Sequence, residues 1–358
     1  MERKVKVGII GCGFIANAHF LGYRSNPCAD VVAVADSVAS AAEKFAQRYG
    51  IPKWYSNMEQ LLEEGGVEAV SICTPHPSHA EIAVMAAQRK KHILVEKPMA
   101  CNLDEAEEMI KAANEANVKL MVAFVNRFVA PFREAKQLID AGALGNIVML
   151  RSHRWGWIPW SEWYYDPKGG GGLLPDRFCY GVDFARWLTG SEIDEIFVYG
   201  DAMVHTEARK KFGRDFIDNA KILMKMKNGV IASAEESYSC RFGYYERVEV
   251  LGSDGLIIAD PFKHDMLTLF TTKSNTEASF FEGLPYSPGW NWPDMVHFPL
   301  KEKVWGSFAA ETKHFIDCIL NDHEPLVTGK DGKAAIEGVL AAMESYRKGE
   351  PVKLPFNI

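Results

Sequence analysis

The stretch that decides the fold is Lys4-Val-Lys-Val-Gly-Ile-Ile-Gly-Cys-Gly-Phe-Ile-Ala16. Val5 to Ile10 reads as a short buried strand that runs straight into Gly11-x-Gly13-x-x-Ala16. Gly11 suits a tight turn. Gly13 carries no side chain, so a pyrophosphate can approach the backbone. Ala16 is small enough for the following helix to pack on the strand. Phosphates would then meet the helix N-terminus, where amide N–H groups and the dipole favour negative charge. A second strand, Val31 to Ala35, ends in Asp36, where a carboxylate would meet a ribose. The combination predicts a dinucleotide site. Asp36 would repel a 2′-phosphate, and Ser37-Val38-Ala39-Ser40 offers no cation to offset that, so NAD is expected rather than NADP.

Working outward, strands and helices alternate to about residue 123. A helix follows Asp36, with apolar residues at Val38, Ala41, Ala42, Phe45, Ala46 and Tyr49. The next is expected to start at a capping box, Ser56-x-x-Glu59, and to end at Gly65-Gly66. Ala69 to Cys73 is a strand, Ser78-x-x-Glu81 a further capping box, and His92 to Val95 a strand. Asn102 caps a helix over Leu103 to Glu115, and Lys119 to Val125 is a strand. Apolar strands alternating with amphipathic helices imply a doubly wound parallel sheet. After a helix over Pro131 to Ala141, β-rich runs dominate: Ile147 to Trp155, Ile193 to Val204, Ala220 to Met226, Val230 to Tyr238, Arg247 to Leu251 and Leu256 to Ala259. Turn signals such as Lys227-Asn228-Gly229 join several of them. Helices close the chain over Phe308 to Leu320 and Ala334 to Arg347. The fold class expected is α/β: a dinucleotide-binding domain over 1–123, then an α+β domain over 124–358 built on a largely antiparallel sheet. Gly283 to Pro293 is expected to be a long loop.

The chain has 358 residues, enough for two domains. Hydrophobic residues make up 47% and charged residues 24%, and the net charge is −7 without blocks of one sign. That balance argues against nucleic acid or a membrane surface as partner. Seven scattered cysteines suit a reducing cytoplasm, and no metal-binding spacing is present. No run approaches a membrane span.

In an open parallel sheet, ligands bind beyond the carboxyl ends of the strands. Thr74-Pro75, Glu96-Lys97-Pro98 and Asn126-Arg127 fall there. A lysine at such a position can stabilise developing negative charge on a substrate oxygen; the alternative is an ordinary charged turn. The peptide bond between Lys97 and Pro98 is expected to be cis, turning Lys97 into the cleft. Downstream lies Lys168-Gly-Gly-Gly-Gly-Leu-Leu-Pro-Asp176, followed four residues on by Tyr180. On a helix these two share a face, and a phenol near Lys97 would have its pKa drawn toward the working range. The alternative is a glycine linker before a core helix. Trp155, Trp157, Trp163, Tyr244 and Trp290 are candidate surfaces for stacking a sugar ring.

Together these motifs resemble the Gfo/Idh/MocA oxidoreductases, including Cys73-Thr74-Pro75-x-x-x-His79, Asn126-Arg127-Phe128 and the glycine run before Asp176. The resemblance spans essentially the whole chain. It implies a Rossmann domain and an open-faced second sheet that mediates dimers or tetramers. It also implies NAD held by Gly11, Gly13, Phe14, Ile15, Ala16, Asp36, Thr74, Pro75, His79, Glu96, Lys97 and Asn126. Lys97 takes the place of the family's catalytic lysine, and Asp176 that of the aspartate in its D-x-G-x-H motif. Tyr180 stands where many members have histidine, Phe178 where the motif has glycine, and Tyr164 where many have arginine. The implied activity is oxidation of a secondary alcohol of a sugar, sugar derivative or cyclitol, with Lys97, Asp176 and Tyr180 catalytic and Trp163 at the substrate. Alternatives are a redox-neutral enzyme with retained NAD, a trans-dihydrodiol dehydrogenase, and a non-catalytic NAD-sensing regulator.

Overall fold

The computed structural model describes residues 3–158, 161–167, 171–263, 266–271, 294–298 (as backbone) and 306–356. Trp290, the stretch from Gly283 to Pro293, and Lys168 with the first two glycines of its run lie outside them. The N-terminal part runs β1 Val5–Ile10, α1 Phe14–Arg24, β2 Ala29–Ala35, α2 Ala39–Tyr49, β3 Lys53–Tyr55, α3 Met58–Glu64, β4 Ala69–Ile72, α4 His79–Gln88, β5 His92–Glu96, α5 Leu103–Ala116 and β6 Leu120–Ala123. The strands form one parallel sheet in the order β3-β2-β1-β4-β5-β6. The order reverses between β1 and β4, the crevice where dinucleotides bind. Val7, Ile9, Val70, Ile72, Ile93 and Val95 are fully buried, as continuous apolar strands covered on both faces require.

Two helix starts differ from the capping-box expectation. The cap of α3 is Asn57, whose side chain accepts from the Gln60 amide, one residue past Ser56. Ser78 precedes α4 but does not cap it, because its hydroxyl donates to Thr74 Oγ1 and the Pro75 carbonyl instead. Asn102 does cap α5 through the Glu105 amide.

The second part runs α6 Ala130–Asp140, β7 Ile147–Trp155, α7 Cys179–Thr189, β8 Ile193–Asp201, α8 Thr206–Phe212, β9 Asn219–Met226, β10 Ile231–Ser237, β11 Tyr245–Gly252, β12 Gly255–Ala259, β13 Leu267–Thr271, β14 Asp294–Phe298, α9 Gly306–Asn321, α10 Gly329–Lys348 and β15 Val352–Lys353. Among the described residues, nine strands form one sheet in the order β14-β13-β12-β11-β7-β10-β9-β8-β15, antiparallel except for the β7–β10 pair. α7 packs across β7 and β10, and α10 across β8. The opposite face carries Met149, Trp155, Tyr199, Leu223, Ile231 and Leu251, all exposed. The register sets Leu251, Met149 and Ile231 abreast on it.

Three features join the two sheets. α9 packs on α1. Arg127, just after β6, is buried with both its Nε and Nη2 on Asp183 of α7, and its Nη2 reaches Asp331 of α10 at 3.1 Å. Removing one partner of such a buried set strands the others' charge, at a cost of about 3–5 kcal/mol. Asn126 donates to Glu246 of β11 at 2.5 Å. The Lys97–Pro98 bond is cis, as expected. Among the described residues, no helix is long and apolar enough to cross a membrane.

Candidate active site

The glycine turn has the geometry a pyrophosphate needs. Gly11 sits at φ +90°, and a Cβ there would lie 2.6 Å from the Cys73 carbonyl oxygen. Only glycine closes this turn. Gly13 is the N-cap of α1, no side chain caps the helix, and a Cβ at Gly13 would meet nothing within 4 Å. The cradle is therefore open to an anion at the helix start. Phe14 is exposed, Ile15 half-buried and Ala16 fully buried against the sheet. Asp36 directly follows β2, its carboxylate held by the Cys12 and Val38 amides, both at 2.8 Å. These residues fit a dinucleotide: an uncovered helix start for the phosphates and an oriented carboxylate for the ribose.

Further along the strand ends, the expected residues divide. Thr74 is half-buried and Pro75 exposed. His79 is fully buried behind them, its two ring nitrogens 2.8 Å from the Thr74 carbonyl and 3.0 Å from the Pro98 carbonyl. Burial lowers its pKa. It ties two loops together from behind the cleft. Glu96 also points inward, to His19 Nε2 at 3.0 Å and to the Lys97 amide. Asn126 is occupied by Glu246. These three shape the pocket through the backbone they hold.

Lys97, Asp176 and Tyr180 come together across the two sheets. Lys97 Nζ donates to Asp176 Oδ1 at 2.6 Å and to its carbonyl at 3.0 Å, and lies 5.1 Å from the Tyr180 ring centroid. Asp176 and Tyr180 do not share a regular helix face, because Leu174–Phe178 is a π-helical turn leading into α7. The wider turn changes the angular step per residue, and the two side chains meet through Lys97. Burial opposes the Lys97 charge, but Asp176 and then Tyr180 outweigh it, so its pKa stands well above the ordinary lysine value. Burial also opposes the Asp176 carboxylate, yet Lys97 and Arg177 hold its pKa below the ordinary range. For Tyr180 burial wins: the phenol pKa is raised, and Lys97 and Arg154 draw back only part of that rise. This corrects the expectation that a lysine neighbour alone brings the phenol toward neutrality.

The sheet supplies residues that motif reading missed. Arg154 of β7 lies with its guanidinium carbon 3.6 Å from the Tyr180 ring centroid and donates twice to Glu246. Arg177 follows Asp176, and the Tyr238 hydroxyl donates to Asp176 Oδ2 at 2.8 Å. Strand alternation after Arg154 puts Trp155 on the open face, tilted against His153 and Tyr245, away from Tyr180. Trp157 packs by His205, and Tyr244 is half-exposed beside Arg154 and Arg177. Trp163 stacks on Tyr164 at 3.8 Å and meets the buried His76 edge-on. Among the described residues no cluster of His, Cys, Asp or Glu is placed to hold a metal ion.

An open cradle after β1 and a cluster of Lys97, Asp176 and Tyr180 beyond the end of β5 are the features an NAD-binding oxidoreductase needs. Residues 5–124 match the family model described as "Oxidoreductase family, NAD-binding Rossmann fold" and residues 132–258 the "GFO/IDH/MocA C-terminal domain", and the chain belongs to the Gfo/Idh/MocA oxidoreductase family. It is 29% identical over 356 residues to the scyllo-inositol 2-dehydrogenase (NAD(+)) of Bacillus subtilis, covering 99% of this chain and 97% of that one. It is likewise 29% identical over 350 residues to the myo-inositol 2-dehydrogenase of Thermotoga maritima, covering 98% of each. A levoglucosan dehydrogenase solved with NADH and levoglucosan shares the fold, with a TM-score of 0.86, 24% identity, and coverage of 99% of this chain and 100% of that one.

Proposed function

We propose that this dehydrogenase oxidises a secondary alcohol of a sugar, sugar derivative or cyclitol, or reduces the corresponding ketone. The observation that carries the reading is the convergence of Lys97, Asp176 and Tyr180 beyond the carboxyl end of β5, in the sheet that carries the nucleotide cradle. Inositol dehydrogenases aligned over nearly the whole chain support the substrate class. Bound NAD would supply the hydride acceptor or donor. Lys97 holds the substrate oxygen, with Asp176 fixing the ammonium in place. Tyr180 carries the hydroxyl proton. Its raised pKa keeps the phenol neutral, the state that delivers a proton to an alkoxide. In the oxidative direction the proton must leave instead, so the rate should climb as pH rises. Arg154 against the Tyr180 ring eases that loss by favouring the phenolate.

The test is NADH formation from a panel of cyclitols, hexoses, anhydrosugars and aromatic diols, with the matching ketones assayed for NADH consumption. Turnover of a polyol supports the reading. NAD binding without turnover of any of them would contradict it and favour an NAD-sensing regulator. Turnover without added NAD would favour a redox-neutral enzyme.

The open face of the second sheet leaves Met149, Leu223, Ile231 and Leu251 exposed beside one another, and exposed apolar groups of this kind mark interaction surfaces. It is proposed to pair with a second copy. Light scattering should find a multiple of the chain mass, and a monomer at micromolar concentration would contradict this.

A further inference from the structure

Contacts around the reactive groups close into a ring. Lys97 lies against Tyr180, and Tyr180 against Arg154. Arg154 is 5.6 Å from the Tyr244 ring centroid, and Arg177 is 5.2 Å from the same ring and 4.9 Å from that of Tyr238. Tyr238 returns to Asp176, and Asp176 to Lys97. Three cations thus alternate with three tyrosines, closed by one carboxylate.

The charges in this ring do not balance. Asp176 is committed to Lys97 and Tyr238, and Glu246 to Arg154 and Asn126. Arg177 is left over. It is 5% exposed, its Nη2 donates to the Trp157 carbonyl, and its Nε and Nη1 have no partner among the described residues. Buried guanidinium donors without acceptors are costly. A further buried carboxyl, Glu236, stands abreast of Arg154 on β10, and its Oε2 is also unpartnered. Burial pushes the Glu236 pKa up to about 8, and Arg154 and Arg177 only partly oppose this. With Glu236 held toward its protonated form by burial, three cations face two committed carboxylates.

We infer that the ring accepts a polyol bearing a carboxylate, with Arg177 taking the carboxylate while the reacting hydroxyl lies at Lys97 and Tyr180. This inference rests on the alcohol–ketone reading above. A carboxylate fits better than a phosphate. It brings one negative charge for one unmatched cation, and its plane suits a guanidinium.

The experiment compares kcat/KM for NADH formation on pairs of one carbon skeleton: glucose with glucuronate, galactose with galacturonate, sorbitol with gluconate. Glucose 6-phosphate is the phosphate arm. The acids should be preferred by roughly 10–100-fold, the worth of one charged hydrogen-bonded contact. Calorimetry on the NADH-loaded protein should show the acids binding more tightly than their neutral partners. Arg177→Gln should collapse the acid-to-neutral ratio through KM, and Arg177→Lys, which keeps the charge, should retain part of it. Turnover of neutral polyols, with acids neither turned over nor bound, would overturn the inference and leave the alcohol reading standing. So would an unchanged ratio in a folded Arg177→Gln protein, which would make Arg177 a packing residue. Preference for the phosphate alone would overturn the carboxylate assignment. If NAD binds and no polyol of either kind reacts, the alcohol reading falls, and this inference with it.

Discussion

The two walls of the cleft treat their polar groups in opposite ways. On the nucleotide wall, side chains are matched largely by backbone: Asp36 by two amides, His79 by two carbonyls, Glu96 by an amide and a buried histidine. On the other wall, charge meets charge and aromatic face, and Arg177 and Glu236 are left short of partners. A wall satisfied by its own backbone is rigid and suits one invariant ligand. A wall with polar groups in reserve stays costly until a substrate supplies the missing ones. On the proposed function, the difference would put cofactor choice in local turns and substrate choice in the sheet.

Asp36 offers one way to break that comparison. Its fixed carboxylate should favour NAD over NADP by roughly 100-fold, and Asp36→Ser should narrow the gap to about tenfold or less, since one repulsive contact is removed. Titration of both cofactors by tryptophan fluorescence measures it. Tighter binding of NADP by the parent protein would show that the nucleotide wall does not select as described.

Glu236 gives a sharper test on the opposite wall. Its folded pKa of about 8 lies above the ordinary 4.5. The folded state therefore holds this proton more tightly than the unfolded chain. Its contribution to stability is whole below about pH 4.5 and is lost as pH rises toward 8. Asp176, pulled down by its cations once burial is overcome, behaves oppositely: its contribution is present at neutral pH and lost only in acid. Glu236→Gln should match the parent in urea unfolding near pH 4 and exceed it by roughly 4 kcal/mol at pH 8. Superimposable profiles would mean that Glu236 is ionised and paired, and the charge count around Arg177 would change with it.

Much of the nucleotide wall was legible because its logic is local. Gly11 and Gly13 are read from a strand meeting a helix, Asn102 from its place before Leu103, and the Lys97–Pro98 turn from three adjacent residues. β7 occupies the same span, Ile147 to Trp155, that its composition predicts. The cap of α3 slipped by one residue because Asn57, itself a strong N-cap residue, takes the Gln60 amide, whereas a Ser56 cap would have taken that of Glu59. β3 and β15, at three and two residues, are too short to show a period. The substrate wall was opaque for a different reason. Glu236, Arg154 and Glu246 lie abreast through strand register, which sequence spacing does not reveal. Alternation along β7 separates Arg154 from Trp155, but only the packing of α7 shows which of them faces the cleft. Burial of Tyr180, which outweighs its cationic neighbours, is likewise a property of the assembled core.

The central claim is that Tyr180 and Lys97 work as one proton-handling unit, and a double-mutant cycle tests it most directly. Tyr180→Phe removes only the hydroxyl, so NAD should bind normally while turnover on the best polyol falls by roughly 10²–10⁴-fold. Lys97→Met should also lower turnover and move what remains to higher pH, because the phenol loses a cationic neighbour. The double mutant should be little worse than the worse single variant, as groups acting together are strongly non-additive. Near-normal turnover by Tyr180→Phe, or losses that simply multiply in the double mutant, would contradict the account.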